Sequence, residues 1–147
     1  MSTTTETDSL VLDGELKEEF SRNSFNPCVG TQLLSEGERS RIWFIRLEPG
    51  ERLGFHRHVL DYSWTSLAAG KARSHINGGR PSDVVYFAGQ TAHIQLGAGE
   101  FLLHDLENVG STPLIFITVE HLDSSNPPIP PPAGTVPCRL GIGAIAA

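Results

Sequence analysis

Cysteine, basic charge and long apolar runs are all scarce in this sequence. The two cysteines, Cys28 and Cys138, stand far apart and form no CxxC pair, which argues against a disulfide framework and against a thiolate zinc site. Lysine and arginine number 11 against 17 acidic residues, a net charge of −6. No basic stripe forms, so neither nucleic acid nor an anionic membrane surface is an expected partner. No apolar run approaches the length of a membrane span, and the acidic, Ser/Thr-rich stretch Met1 to Asp8 has no basic segment leading into an apolar one. A cytoplasmic location is the expectation. There is also no Gly-x-Ser-x-Gly elbow, and Gly78-Gly79 and Gly97–Gly99 fall between strand-like runs, where they read as turns. Nucleophilic catalysis and phosphate cradling are both left without a motif.

What remains is a chain of 147 residues, 39% hydrophobic, with 15 glycines and 10 prolines. That length fits one domain. Residues 1–9 carry too little apolar content to pack and are expected to be disordered. Residues 10–122 read as one barrel domain with an N-terminal arm, in which Leu10 to Phe20 forms a short helix or arm bearing Leu12, Leu16 and Phe20. Strand-like runs follow at Arg41–Leu47, Phe55–His58, Tyr62–Leu67, Ala72–Ile76, Val84–Phe87, Ala92–Leu96, Phe101–His104 and Leu114–Glu120. About eight short strands at roughly ten-residue spacing, with almost no helical period between them, define an all-β antiparallel sandwich or barrel. Residues 123–147 form a Pro-rich tail, with six prolines between Ser124 and Pro137. It reads as an extended arm wrapping its own barrel or a neighbour's.

The residues richest in chemistry are His56 and His58. Residues i and i+2 of a strand point to one face, so the two imidazoles project side by side. A third histidine facing the same space completes a facial metal site. His104 is preferred, and His93 is the alternative, its face depending on a one-residue register. The bland reading is that an H-x-H pair simply bonds backbone groups on a strand. His75 and His121 have no motif around them and read as structural or surface residues.

The run Gly50-(five residues)-His56-Arg57-His58, followed by His104-(three residues)-Asn108, resembles the two motifs of the cupin superfamily, over about residues 41–121. It is most similar to small single-domain bacterial cupins. The resemblance implies a small antiparallel jelly-roll barrel and a divalent transition metal held by His56, His58 and His104. It also shows two departures. The family's first motif carries a Glu shortly after its second histidine, whereas Tyr62 and Ser63 stand there, leaving Tyr62 or Asp61 as substitutes. Four residues, not two, separate Gly99 from His104.

Alternation carries Trp64 and Ser66 to the face of Tyr62, and one of Trp43 and Phe44 inward. Trp64, Trp43 and His93 are therefore the candidate pocket residues, although the rings also suit a simple filled core. Glu100 and Glu120 are possible acid/base groups, with an exposed rim position expected for Glu100 and a return to solvent for Glu120, which ends the last strand-like run. Fe(II) is the preferred metal, with Zn, Ni, Mn or Cu as alternatives. The expected function is an iron-dependent dioxygenase acting on a small organic molecule. A ligand-binding barrel without turnover and a metal-dependent isomerase or lyase are the alternatives. Tyr62 is the candidate proton carrier or, if its pKa is lowered, an anionic ligand. Open sheet edges suggest a homodimer.

Overall fold

The computed structural model describes residues 11–137; the segment 1–9, expected to be disordered, lies outside them, as does Cys138. The one helix among the described residues, α1 (Gly14–Arg22), begins and ends slightly later than the sequence suggests. Nine strands follow: β1 (Gln32–Glu36), β2 (Ser40–Leu47), β3 (Arg52–His58), β4 (Tyr62–Ser66), β5 (Gly70–His75), β6 (Pro81–Tyr86), β7 (Thr91–Ile94), β8 (Leu102–Asn108) and β9 (Leu114–His121). Eight of them match the runs read from sequence. β1 does not, because only Leu33 of its five residues is buried and it carries no alternation to detect.

The strands form two antiparallel sheets, ordered β1-β2-β9-β4-β7 and β3-β8-β5-β6. β2 and β9 set the inner face of the first sheet by strict alternation. Arg41, Trp43, Ile45 and Leu47 are buried on β2, and Leu114, Phe116, Thr118 and Glu120 on β9. The core gathers Ile45, Leu47, Leu106, Leu114 and Phe116 from both sheets, with Val29, Leu33 and Trp43 packed as a second cluster.

β3 departs from simple alternation. Its register against β8 slips between Leu53 and His56, where a bulge inserts an extra residue. Leu53, opposite Leu106, and His56, opposite His104, then share the inner face although three positions separate them. The turn that launches the strand uses Gly50 at φ +88°, a conformation that glycine adopts without strain.

The described part of the tail, residues 123–137, bonds to its own barrel. The Asn126 side chain donates to the Val59 and Gly97 carbonyls and accepts from Gly99 N–H, and Arg41 Nη1 donates to the Ile129 carbonyl.

Candidate metal centre

His56 and His58 on β3 and His104 on β8 meet inside the barrel, with one ring nitrogen of each within 4.8 Å of the others. The β3–β8 pairing sets His56 directly opposite His104, and the two rings lie 4.6 Å apart between centroids. His58 Nε2 lies 3.2 Å from His104 Nε2. Two nitrogens at that separation, each about 2.1 Å from a shared ion, subtend roughly 100° at it. That angle lies within the range of tetrahedral and octahedral coordination, so the donor set fits a divalent ion.

The orientation of His56 has a local cause. Its Nδ1 lies 2.9 Å from the Gly54 carbonyl, which can only accept, so the Nδ1 carries the proton and Nε2 keeps its lone pair. The bulge turns that carbonyl back toward the ring. A side chain at Gly54 would sit 3.2 Å from a Glu19 carboxylate oxygen, so helix α1 packs against the point where the strand bends. His58 Nδ1 is buried with no partner.

Burial makes all three imidazoles reluctant to protonate. Desolvation pushes His56 down to about 4. Desolvation, and then the neighbouring imidazoles, hold His58 and His104 well below the usual histidine range. All three are neutral at pH 7, the form that ligates a metal.

Tyr62 stacks on His58, with centroids 3.9 Å apart and planes 14° from parallel. Burial, and then the charge of Glu120, push its phenol up rather than down. That shift works against ionisation of the phenol in the metal-free chain. Beside the triad lies a cavity of about 70 Å³, walled by Trp64, Tyr86, Phe116, Ile45, Leu106 and Thr118. Trp64, Tyr86 and Phe116 meet edge to face at 4.9–5.7 Å.

Other sequence candidates fall elsewhere. His93 is exposed on the outer side of β7, because the β4–β7 register pairs it with Ser63 rather than with Tyr62. It cannot replace His104. Trp43 points inward but packs with Val29 and Leu33 away from the cavity. Asp61 accepts from the Leu96 N–H and is outside the triad. Glu120, expected to return to solvent, is 3% exposed. It accepts from Trp43 Nε1 at 2.7 Å and faces Arg41 Nε at 3.8 Å, partners that make burial tolerable. Asn108 is a brace: its amide donates to the Leu47 and Thr112 carbonyls and its oxygen accepts from Gly110 N–H.

One cluster escaped the sequence reading. On the outer side of β8 beside His104, buried Asp105 accepts from Arg52 Nε at 2.9 Å and from the His75 backbone N–H at 2.6 Å. The His75 ring lies 3.0 Å away, and Arg52 forks onto both Glu19 oxygens. This network ties β3, β5, β8 and α1 together immediately behind the triad. Period two puts Asp105 on the face opposite His104, but nothing in the sequence pairs it with Arg52.

Two antiparallel sheets enclosing a triad of histidines define a double-stranded β-helix barrel, and the chain has the cupin fold. It is similar to the crystal structure of a cupin domain from Bordetella pertussis Tohama I, at 22% identity and a TM-score of 0.54 over 66% of this chain and 95% of that one. It is also similar to a protein with a double-stranded β-helix domain from Klebsiella pneumoniae, at 22% identity and a TM-score of 0.50 over 78% of this chain and 92% of that one. No family model matches the chain, and no curated protein matches it in sequence. Among the described residues no helix is long and apolar enough to cross a membrane.

Proposed function

We propose that the protein holds one divalent transition metal through His56, His58 and His104 and turns over a small organic molecule in the adjoining cavity, as an iron-dependent dioxygenase. The observation that carries this reading is the 3.2 Å approach of two buried, neutral Nε2 atoms at the cavity wall. Iron bound there would supply a redox centre with open positions for a chelating substrate and dioxygen. The chain's own residues bind and shield. The Trp64, Tyr86 and Phe116 rings exclude water, and Tyr62 offers a neutral hydroxyl beside His58 as a proton donor.

The test is oxygen uptake by iron-loaded protein against panels of catechols, diketones and hydroxy acids. Uptake that is stoichiometric with product and lost on zinc substitution supports the dioxygenase. In that case Tyr62→Phe should slow turnover by about 100-fold, the scale of a lost proton-transfer group, while keeping its iron. Unchanged turnover removes Tyr62 from the chemistry. Zinc-supported turnover without oxygen uptake moves the reaction to an isomerase or lyase. The absence of a carboxylate from the triad favours the second reading, a barrel that binds its ligand without turnover.

The proposed partner is a second copy of the chain. β6 is an edge of its sheet, and Val84, Val85 and Phe87 along and just beyond it are 40%, 73% and 64% exposed. An unpaired apolar edge invites antiparallel pairing with its own copy. Light scattering on a size-exclusion column should give a dimer mass for the native protein and a monomer for Val85→Lys. A monomer for both at micromolar concentration removes the dimer.

A further inference from the structure

Three neutral imidazoles bring no negative charge to a divalent ion, and the remaining lining brings none either. The structure decides which residue occupies the slot where related motifs place a glutamate: Tyr62 points inward against His58, while Ser63 pairs with His93 on the outer side of the sheet. A tyrosine side chain, not a carboxylate, therefore stands in that slot, and no Asp or Glu lines the cavity. Glu120 is the carboxyl that β9 turns inward, two residues beyond Thr118, but it is engaged by Trp43 and Arg41 and lies outside the ligating group. A divalent ion here would keep its whole charge, with no carboxylate in the cavity lining to offset it.

The other walls constrain the ligand further. Trp64, Tyr86 and Phe116 face the triad side with rings, and no lysine or arginine lines the cavity. Arg41 is committed to Glu120 and the Ile129 carbonyl, and Arg52 to Glu19 and Asp105. A second carboxylate on the ligand would meet aromatic rings with no cation to pair with, and its desolvation would go uncompensated. The cavity's 70 Å³, room for about two waters at liquid density, restricts the ligand to a small molecule.

We propose that the ligand itself supplies the missing negative charge: the site takes a small monoanionic oxygen chelator with an apolar end, such as a short 2-hydroxy acid, in preference to neutral or dianionic molecules of the same shape. This rests on the metal reading above and names the substrate class for that site. The Tyr62 side chain makes the preference, by occupying the inward slot in place of a carboxylate.

The experiment uses full-length protein loaded with Co(II), whose visible spectrum reports coordination without turnover. Three probes share a skeleton: lactate, its neutral isostere acetoin, and the dianion tartronate. Lactate should perturb the spectrum at least 100-fold more tightly than acetoin and at least 10-fold more tightly than tartronate. Tyr62→Glu should tighten cobalt binding and weaken lactate at least 10-fold, opposite movements that damage to the fold would not produce. Tyr62→Gln, equally polar but uncharged, should keep the lactate preference, so the test stands even if the glutamate variant does not fold. Equal binding of lactate and acetoin, or tartronate binding as tightly as lactate, overturns the inference while leaving the metal site intact. Protein that takes up no cobalt overturns the metal reading and this one with it.

Discussion

Replacing His56 and His58 together by alanine should drop bound metal from near one equivalent per chain to background, measured by elemental mass spectrometry on untagged protein. Both rings come from one strand and point into the same space as His104, so the double substitution leaves a single nitrogen donor. Retained metal in the variant would show that the triad is not the site, and the near-ultraviolet circular dichroism should remain native. The same residues predict how metal-free protein responds to acid. His56 titrates at about 4 in the folded chain, against roughly 6.5 in the unfolded one. As pH falls from about 6.5 toward 4, the unfolded chain binds a proton that the folded chain refuses, so stability falls with pH. For this one group the loss approaches roughly 3 kcal/mol at pH 4. His58 and His104 shift in the same direction. Urea unfolding of the metal-free protein should therefore give a lower midpoint at pH 5 than at pH 7, and the double alanine variant should flatten that dependence. A pH-independent midpoint in the native protein would contradict neutral burial. Bound metal should also leave as pH falls, since protons compete for the same lone pairs.

Asp105→Ala should destabilise the fold by about 3–5 kcal/mol, because it strips one partner from a buried ion pair. For a domain of this size that is a fall in melting temperature of roughly 10–15 °C. The carboxylate is 1% exposed and receives Arg52, the His75 backbone and the His75 ring. Its removal leaves Arg52 half-paired and a buried N–H unsatisfied. Asp105→Asn keeps an oxygen for the His75 N–H and should fall between the native protein and the alanine variant. Calorimetry on all three decides the matter: a change below 1 kcal/mol for the alanine variant would show that the network is ornamental. Because Asp105 neighbours His104 and Arg52 begins the strand that carries His56, the alanine variant should also bind metal less tightly.

The barrel and the triad were legible because both obey period two. His56 and His58 are an i, i+2 pair, β2 and β9 alternate without interruption, and turn glycines mark most strand ends. What escaped needed information about register or charge pairing between distant segments. The alternation through Ala92, His93 and Ile94 shows that His93 opposes its neighbours, but not which of them faces inward, and only pairing with β4 settles that. Its place at the end of the last strand directs Glu120 to solvent in a reading of the sequence. Trp43 and Arg41, distant in sequence, make the burial tolerable. The Asp105 network spans four elements, from Glu19 to Asp105, and no local pattern announces it. The upward shift of the Tyr62 phenol follows from burial, which a sequence does not display.

The bulge in β3 has a genetic meaning. Leu53 and His56 share the inner face only because one additional residue lies between them. An in-frame deletion of a single codon at Gly54 or Phe55 would leave the two halves of the strand with incompatible faces. Either Leu53 would turn out of the core, or both histidines would turn out of the barrel and Arg57 into it. In a lineage carrying this barrel, a change of one codon is thus enough to silence the centre without altering any ligand, and its reversal is enough to restore it.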